Sequence, residues 1–184
     1  MQSAAAGVIL EDYGKGVIEQ MVFDRALSIA AANKIPVGFD PKENHCLRVN
    51  GVTIATPNRR EAFLAAGVED RGESGPVLED TDLRKVSEDL HRKWGPKLLL
   101  ITLGSKGMLL AKDGAPIFHV PTRAREVFDV SGAGDTVIAT CLLSLAAGAM
   151  PEESAELANY AASVVVAKLG TATCSPKELL AQMD

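Results

Sequence analysis

The distribution of apolar and polar residues divides the chain into short apolar runs and longer segments with helical spacing. Four apolar runs, three ended by an acidic residue or proline and the last by glycine, predict buried strands at residues 7–10, 36–40, 52–56 and 97–103. Segments with helical spacing predict helices at about 17–33, 61–64, 82–94, 134–148 and 151–168. The runs 107–111 and 116–120 flank a Lys-Asp-Gly turn and predict a hairpin. Strands that alternate with helices predict an α/β layered fold with a mostly parallel sheet.

Single residues predict some of the element boundaries. Thr81 is a candidate N-cap for the helix that begins at Asp82, because its hydroxyl can accept a hydrogen bond from a first-turn amide. Pro151 suits the first turn of the last helix, where its missing N–H would have no partner. Residues 68–80 are polar and rich in glycine and predict a loop. Since no repeat or linker divides the sequence, we expect residues 1–184 to form a single α/β domain.

Composition narrows the class of protein. The 184 residues are 47% hydrophobic and 23% charged, which is typical of a soluble globular domain with a real core. The net charge of −5 and the scattered basic residues argue against a nucleic-acid partner. No apolar run has membrane-spanning length, and no signal-peptide pattern opens the chain, so we expect a cytoplasmic protein with no membrane partner. The cysteines, at positions 46, 141 and 174, lack metal spacing and predict reduced thiols.

The most informative local pattern is the run of residues 129–136, Asp-Val-Ser-Gly-Ala-Gly-Asp-Thr, directly before an apolar helical segment. Gly132, Ala133 and Gly134 form the first turn of that helix, where free amides and the helix dipole favour an anion such as phosphate. The carboxylate of Asp135 would repel phosphate, but it suits a base that takes a proton from a hydroxyl attacking phosphorus. A plain helix start with an acidic first turn explains the same residues, and short glycine-rich matches are common.

Polar side chains follow four predicted strands at the point where each strand ends. In open parallel sheets, ligands bind outside the carboxyl ends of the strands, so four such groups in register predict one shared cleft. Lys15 would supply a cation for a phosphorylated or acidic substrate, although a solvated surface lysine explains it equally well. The residues concerned are Asp12, Lys15, Asp40, Lys42, Asn58, Glu61, Thr102, Gly104, Ser105 and Lys106.

The pair Asn58 and Glu61 has two interpretations. Residues three apart on a first helical turn face the same way, and an amide oxygen with a carboxylate can hold Mg²⁺ directly or through water. The same pair can form a capping box, with Asn58 as the N-cap. From the residues alone we favour the capping interpretation.

Two further segments are candidates for nucleotide contacts. Residues 102–107, Thr-Leu-Gly-Ser-Lys-Gly, contain Gly104 and Gly107, which permit a tight backbone beside a nucleotide. An ordinary glycine turn is the simpler interpretation of this stretch. Asn159 lies on a helix of otherwise small and apolar residues, where a buried amide needs a partner in a nearby loop or in a ligand.

From about residue 7 to about residue 180, these ordered motifs resemble those of the ribokinase-like (PfkB) carbohydrate kinases, although Val130 stands where threonine is common. The resemblance implies a three-layer, Rossmann-like ribokinase fold and phosphoryl transfer from ATP with Mg²⁺. It implies a catalytic base at Asp135, an anion hole at Gly132, Ala133 and Gly134, and Mg²⁺ ligands at Asn58 and Glu61. It implies nucleotide contacts at Thr102, Gly104, Ser105, Gly107, Asn159 and Gly170. It also implies a candidate K⁺ site at Asp129, the Ser131 backbone and residues 170–173.

A narrower resemblance concerns the acceptor. Residues 12–16, Asp-Tyr-Gly-Lys-Gly, are similar to a motif of the bacterial heptose 7-phosphate kinases, which serve ADP-heptose synthesis for lipopolysaccharide. This resemblance implies a sugar phosphate held by Asp12, Lys15, Asp40 and Lys42. Glu11 stands where serine is frequent in that subfamily, so kinases for ribose, fructose or ketodeoxygluconate stay open as alternatives.

The family pattern is longer than this chain, and the resemblance begins near its middle. We therefore expect the C-terminal, nucleotide-binding part of a sugar kinase, without the N-terminal part and the β-sheet lid that commonly forms a homodimer. Two other functions stay open. One is a non-catalytic nucleotide-binding module, and the other is an open fragment of low stability that binds nothing.

Overall fold

A six-stranded sheet in the order β1-β2-β3-β4-β5-β6 forms the centre of the fold. The computed structural model describes residues 5–42, 47–72, 75–124 and 126–183. Strands β1 to β4 are parallel to one another, whereas β5 and β6 form an antiparallel hairpin on β4. The strands are β1 (Val8–Glu11), β2 (Val37–Asp40), β3 (Ile54–Ala55), β4 (Leu98–Thr102), β5 (Met108–Lys112) and β6 (Ala115–Val120).

Helices cover both faces of the sheet and complete the predicted three layers. The crossovers from β1 to β4 all run in one direction along the sheet, so right-handed connections place their helices on one face. The helices α4 and α5 follow the hairpin and pack on the opposite face. The helices are α1 (Gln20–Ala32), α2 (Arg59–Ala66), α3 (Thr81–Trp94), α4 (Ala133–Ala146), α5 (Pro151–Val166) and α6 (Pro176–Ala181).

Two hydrophobic clusters separate these layers. The first lies under α1, α2 and α3, where the Phe39 ring packs edge-on against Phe23 and Trp94, with ring centroids 5.3 and 6.2 Å away. The second lies between the sheet and helices α4 and α5, and it includes Leu100 and Leu142. Apolar side chains on both faces of β4 are buried, which explains its nearly continuous apolar sequence.

One local expectation was wrong, and two short elements were not expected. Thr81 is the first residue of α3 and not its N-cap, because the Asp80 carboxylate accepts hydrogen bonds from the amides of Asp82 and Leu83 at 3.0 Å. The predicted loop 68–80 contains a short 3₁₀ turn, Val77–Glu79. The sequence also gave no expectation of α6, a short helix capped at its start by Ser175.

The described cysteines are free thiols, as expected from their spacing. Cys141 is buried in α4, and burial raises the pKa of its thiol to about 12. Cys174 is half-buried near α6, and Cys46 lies outside the described residues. Among the helices of the described chain, none is long and apolar enough to cross a membrane.

Candidate active site

A cavity of about 840 Å³ lies where the parallel strands end and α4 begins. Its walls come from the ends of β2 and β4, from α2, from the first turn of α4 and from α5. The parallel sheet therefore brings motifs that are distant in the sequence to one edge, where ligands bind in such folds. Of the residues assigned from the sequence, those that line the cavity are Asp40, Lys42, Asn58, Glu61, Thr102, Gly104, Ser105, Gly107, Gly132, Ala133, Gly134, Asp135 and Asn159.

The cavity is not lined by six other assigned residues, Asp12, Lys15, Lys106, Asp129, Ser131 and Gly170. The Asp12 carboxylate accepts a hydrogen bond from the Gly14 amide at 2.8 Å, so it stabilises the turn after β1. Lys15 is exposed on the same turn. Asp129, Ser131 and Gly170 lie on two neighbouring loops beside the N-terminus of α4.

The first turn of α4 presents backbone donors to the cavity. Gly132 is the N-cap and has a φ of 77°, a left-handed conformation that suits glycine. The Ala133 amide donates to the Val130 carbonyl at 3.1 Å, so this amide is already used within the turn. Among the residues that the structure describes, none accepts a hydrogen bond from the amides of Gly134 and Asp135. These two amides and the helix dipole make this turn suitable for an anion.

The Asp135 carboxylate lies beside these amides and is held by a tyrosine. The Tyr13 hydroxyl donates a hydrogen bond to Asp135 Oδ2 at 2.9 Å. This hydrogen bond is the main reason that the pKa of Tyr13 lies above its ordinary value. The pKa of the nearby Glu11 is also raised, first by burial and then by the charge of Asp135.

Asp40, at the end of β2, is a partly buried carboxylate in the same region. The Thr56 hydroxyl donates a hydrogen bond to Asp40 Oδ1 at 2.7 Å. Burial raises the pKa of Asp40 to about 7, and this effect exceeds the opposite effect of the Thr56 hydrogen bond. The nearby charges of Glu61, Glu11 and Asp135 raise it further.

Asn58 and Glu61 form a capping box at the start of α2. Asn58 Oδ1 accepts a hydrogen bond from the Glu61 amide, and Glu61 Oε2 accepts one from the Asn58 amide, both at 2.9 Å. The capping interpretation favoured from the sequence is therefore confirmed. An amide oxygen has two lone pairs, so the cap leaves Asn58 able to accept a further hydrogen bond or a cation ligand.

The segment 102–107 turns against the cavity between β4 and β5. Residues Gly104–Lys106 form a 3₁₀ turn, and the Leu103 amide donates to the Gly107 carbonyl at 2.8 Å. Across the cavity, the buried side chain of Asn159 donates to the Pro121 carbonyl at 2.7 Å. The Asn159 amide thus has a hydrogen-bond partner in a nearby loop, which was one of the two partners expected for it.

Asp129 connects the two loops beside the start of α4. One carboxylate oxygen accepts from the Ser131 amide at 2.9 Å, and the other accepts from the Gly170 amide at 3.1 Å. The pKa of Asp129 lies below its ordinary value, mainly because of the hydrogen bonds from Ser131 and to a smaller extent because of the one from Gly170. Within the described ranges, no cluster of three or more His, Cys, Asp and Glu residues is arranged to hold a metal ion.

Tyr13 and Arg59 are two of the cavity residues that had no assigned role from the sequence. Tyr13 stands inside a quoted motif, but no spacing rule relates it to Asp135, which is 122 positions away. Arg59 follows Asn58 directly, binds Asp70 through its guanidinium at 2.7 Å and lies over the Phe63 ring. Only the fold brings Tyr13 to Asp135 and Arg59 to Asp70, whereas Arg59 and Phe63 have the i, i+4 spacing of neighbours on a helix.

Comparison with known proteins assigns the class. Residues 6–178 match the sequence profile described as pfkB family carbohydrate kinase, and the chain belongs to this family. It is 43% identical over 182 residues to the bifunctional protein HldE of Azorhizobium caulinodans, covering 98% of this chain and 36% of that protein. It is 45% identical over 175 residues to HldE of a Caulobacter species, covering 94% of this chain and 34% of that protein. The chain thus spans about a third of the length of these curated relatives.

Solved structures share the fold. The ribokinase of Arabidopsis thaliana, in a structure with ribose and ATP, gives a TM-score of 0.78 at 24% identity, covering 97% of this chain and 56% of that one. The adenosine kinase of Sinorhizobium meliloti gives a TM-score of 0.71 at 22% identity, covering 96% and 54%. These likenesses show that the six-stranded, mostly parallel sheet and its helices have the ribokinase-like fold.

Proposed function

We propose that residues 1–184 form one α/β domain that transfers a phosphoryl group from ATP to a sugar or sugar-phosphate hydroxyl. The observation that carries this proposal is the position of Asp135 at the cavity wall, beside two backbone amides without acceptors. A carboxylate next to an anion site suits a base in phosphoryl transfer better than it suits phosphate binding alone. Membership of the carbohydrate kinase family supports the same reaction.

In the proposed reaction, Asp135 accepts the proton of the acceptor hydroxyl as its oxygen bonds to the γ-phosphorus. The bond between that phosphorus and the bridging oxygen breaks, and ADP leaves. The first-turn amides of α4 stabilise negative charge on the phosphoryl group as it transfers. Catalysis therefore depends mainly on position and electrostatics.

The remaining cavity residues are assigned to the nucleotide and its cation. Residues 102–107 and Asn159 lie along the wall where the nucleotide would extend. Asn58 and Glu61 provide oxygen ligands of the kind that Mg²⁺ prefers, directly or through water. When bound, Mg²⁺ would offset the negative charge of the ATP phosphates. K⁺ at the loop of Asp129 and Ser131 is a further proposal.

We propose a heptose 7-phosphate as the acceptor. The support is the resemblance of residues 12–16 to heptose 7-phosphate kinases and the identity of more than 40% with the HldE relatives. Lys42 lines the cavity and provides a cation for a phosphorylated acceptor. Another sugar of the ribokinase-like family is the alternative.

The test measures ADP release by this chain with Mg·ATP and a panel of acceptors. We expect release that depends on heptose 7-phosphate and not on ribose, fructose or ketodeoxygluconate. ADP release with another sugar would mean that the proposed acceptor is wrong and that the proposed reaction holds. Saturable Mg·ATP binding in calorimetry without release would favour a nucleotide-binding module, and no binding at millimolar ATP would contradict the proposal.

A further inference from the structure

We propose that Tyr13 is a positioning residue that fixes the carboxylate of Asp135 for proton transfer. The inference rests on the proposed function, in which Asp135 is the base. The Tyr13 hydroxyl lies 2.9 Å from Asp135 Oδ2, and this is the one hydrogen bond from a described residue that reaches the Asp135 carboxylate. The orientation of the Asp135 side chain therefore depends on Tyr13.

The turn after β1 presents Tyr13 to the start of α4. The Asp12 carboxylate accepts from the Gly14 amide at 2.8 Å, and Gly14 has a φ of 65°, so the chain bends at Tyr13 and Gly14. The Lys42 ammonium lies 5.8 Å from the centre of the Tyr13 ring, over its face. These contacts hold the ring at the cavity although 53% of the residue is exposed.

The Tyr13 hydroxyl has a second carboxylate within reach but favours Asp135. Glu11 Oε2 lies 3.4 Å from the hydroxyl oxygen, against 2.9 Å for Asp135 Oδ2. A phenol has one proton to donate, so the shorter contact takes it. The pKa of Tyr13 is raised, first by this hydrogen bond, so Tyr13 stays protonated and remains a donor at neutral pH.

This arrangement has a consequence for catalysis. With Oδ2 bound to Tyr13, Oδ1 of Asp135 is left to accept the proton of the acceptor hydroxyl. Without the tyrosine hydroxyl, the carboxylate can rotate, and fewer molecules hold it in the productive orientation. The charged groups that interact with Asp135 are Glu11 at the end of β1 and Asp40 at the end of β2, and the Lys42 ammonium lies over the Tyr13 ring.

The first arm of the test measures the hydrogen bond itself in this chain. Tyr13 and Tyr160 are the two tyrosines of the sequence, so Tyr160→Phe leaves Tyr13 as the sole phenol. We expect the Tyr13 phenolate to form above the ordinary pKa of about 10, and at lower pH after Asp135→Asn. Circular dichroism would confirm that each variant is folded over the titration range. If the pKa of Tyr13 is ordinary and does not change in Asp135→Asn, the proposal is overturned.

The second arm measures phosphoryl transfer by Tyr13→Phe, with Tyr160→Phe as the matched loss of a hydroxyl outside the cavity. We expect Tyr13→Phe to lower kcat about ten-fold with an unchanged KM for ATP. An unchanged kcat, or a loss that appears in the KM for ATP instead, would overturn the positioning role. A wild-type chain without transfer to any acceptor would contradict the proposed function, whereas the phenol titration would still decide the hydrogen bond.

Discussion

The Thr56 hydroxyl donates a hydrogen bond to Asp40 at 2.7 Å and so joins the ends of two neighbouring parallel strands. The other Asp40 oxygen lies under the first turn of α4, 3.9 Å from where a Cβ on Gly134 would stand. A partly buried carboxylate therefore lies at the floor of the cavity, below the start of α4. Its burial raises the pKa of Asp40 to about 7 and gives this floor a pH dependence.

We predict that Asp40→Asn stabilises the fold at neutral pH and above. The pKa of Asp40 rises to about 7 on folding, so between about pH 4 and 7 the folded state binds more protons than the unfolded state. The contribution of Asp40 to the free energy of unfolding is thus fully present below about pH 4 and falls as the pH rises to about 7. Thermal unfolding should show a gain for Asp40→Asn that grows over this range, and a gain independent of pH would contradict the account.

The capping box and the proposed Mg²⁺ role of α2 can be separated. Asn58→Ala should lower the free energy of unfolding by about 1 kcal/mol, because the Glu61 amide loses its acceptor. Asn58→Asp keeps an oxygen at the cap and should restore stability. Chemical denaturation of the three proteins checks this, and equal stability of all three would show that the cap contributes nothing.

Glu61→Gln tests the carboxylate itself. Glutamine keeps the hydrogen bond to the Asn58 amide but has no negative charge, so we expect near-native stability and weaker Mg·ATP binding in calorimetry. Unchanged affinity for Mg·ATP would restrict Glu61 to its structural role.

Gly107 is expected to tolerate no side chain. It has a φ of 85°, and a Cβ there would lie 1.9 Å from the Val120 carbonyl oxygen. Gly107→Ala should therefore cost about 3 kcal/mol of stability. Gly104 has a φ of 57° and open space around a Cβ, so Gly104→Ala should cost only about 1 kcal/mol. Equal losses in denaturation would contradict the clash.

Asp129 is expected to hold the loop that contains Gly170. Asp129→Ala removes the acceptor of the Ser131 and Gly170 amides, so tryptic cleavage after Lys168 should become faster. Asp129→Asn keeps one acceptor oxygen and should give an intermediate rate by mass spectrometry. The same rate in all three proteins would mean that other contacts hold this loop.

Much of the fold could be predicted from the sequence, because each buried strand is a local apolar run that ends at an acidic residue, a proline or a glycine. The acidic residue or proline after each run located the carboxyl ends of β1, β2 and β3, and a parallel sheet brings such ends together. Asn58 and Glu61 were predictable as a pair because their spacing alone satisfies a capping box.

The remainder depended on tertiary contacts that sequence spacing does not contain. Asp80 caps α3 in place of Thr81, and both residue types are good N-caps, so only the structure distinguishes them. The pairs Tyr13 with Asp135 and Asp40 with Thr56 arise because the sheet order places their segments side by side. The role of Asp135 as a base stays a prediction.

The most direct test of the central claim compares Asp135→Asn with the wild-type chain in two measurements on the same preparation. Calorimetry should show Mg·ATP binding in both proteins, because asparagine keeps the size of the side chain and the first-turn amides of α4. ADP release with heptose 7-phosphate should fall by at least about 100-fold in the variant, because no carboxylate receives the hydroxyl proton. Near-normal release by Asp135→Asn would contradict the assignment of Asp135 as the base.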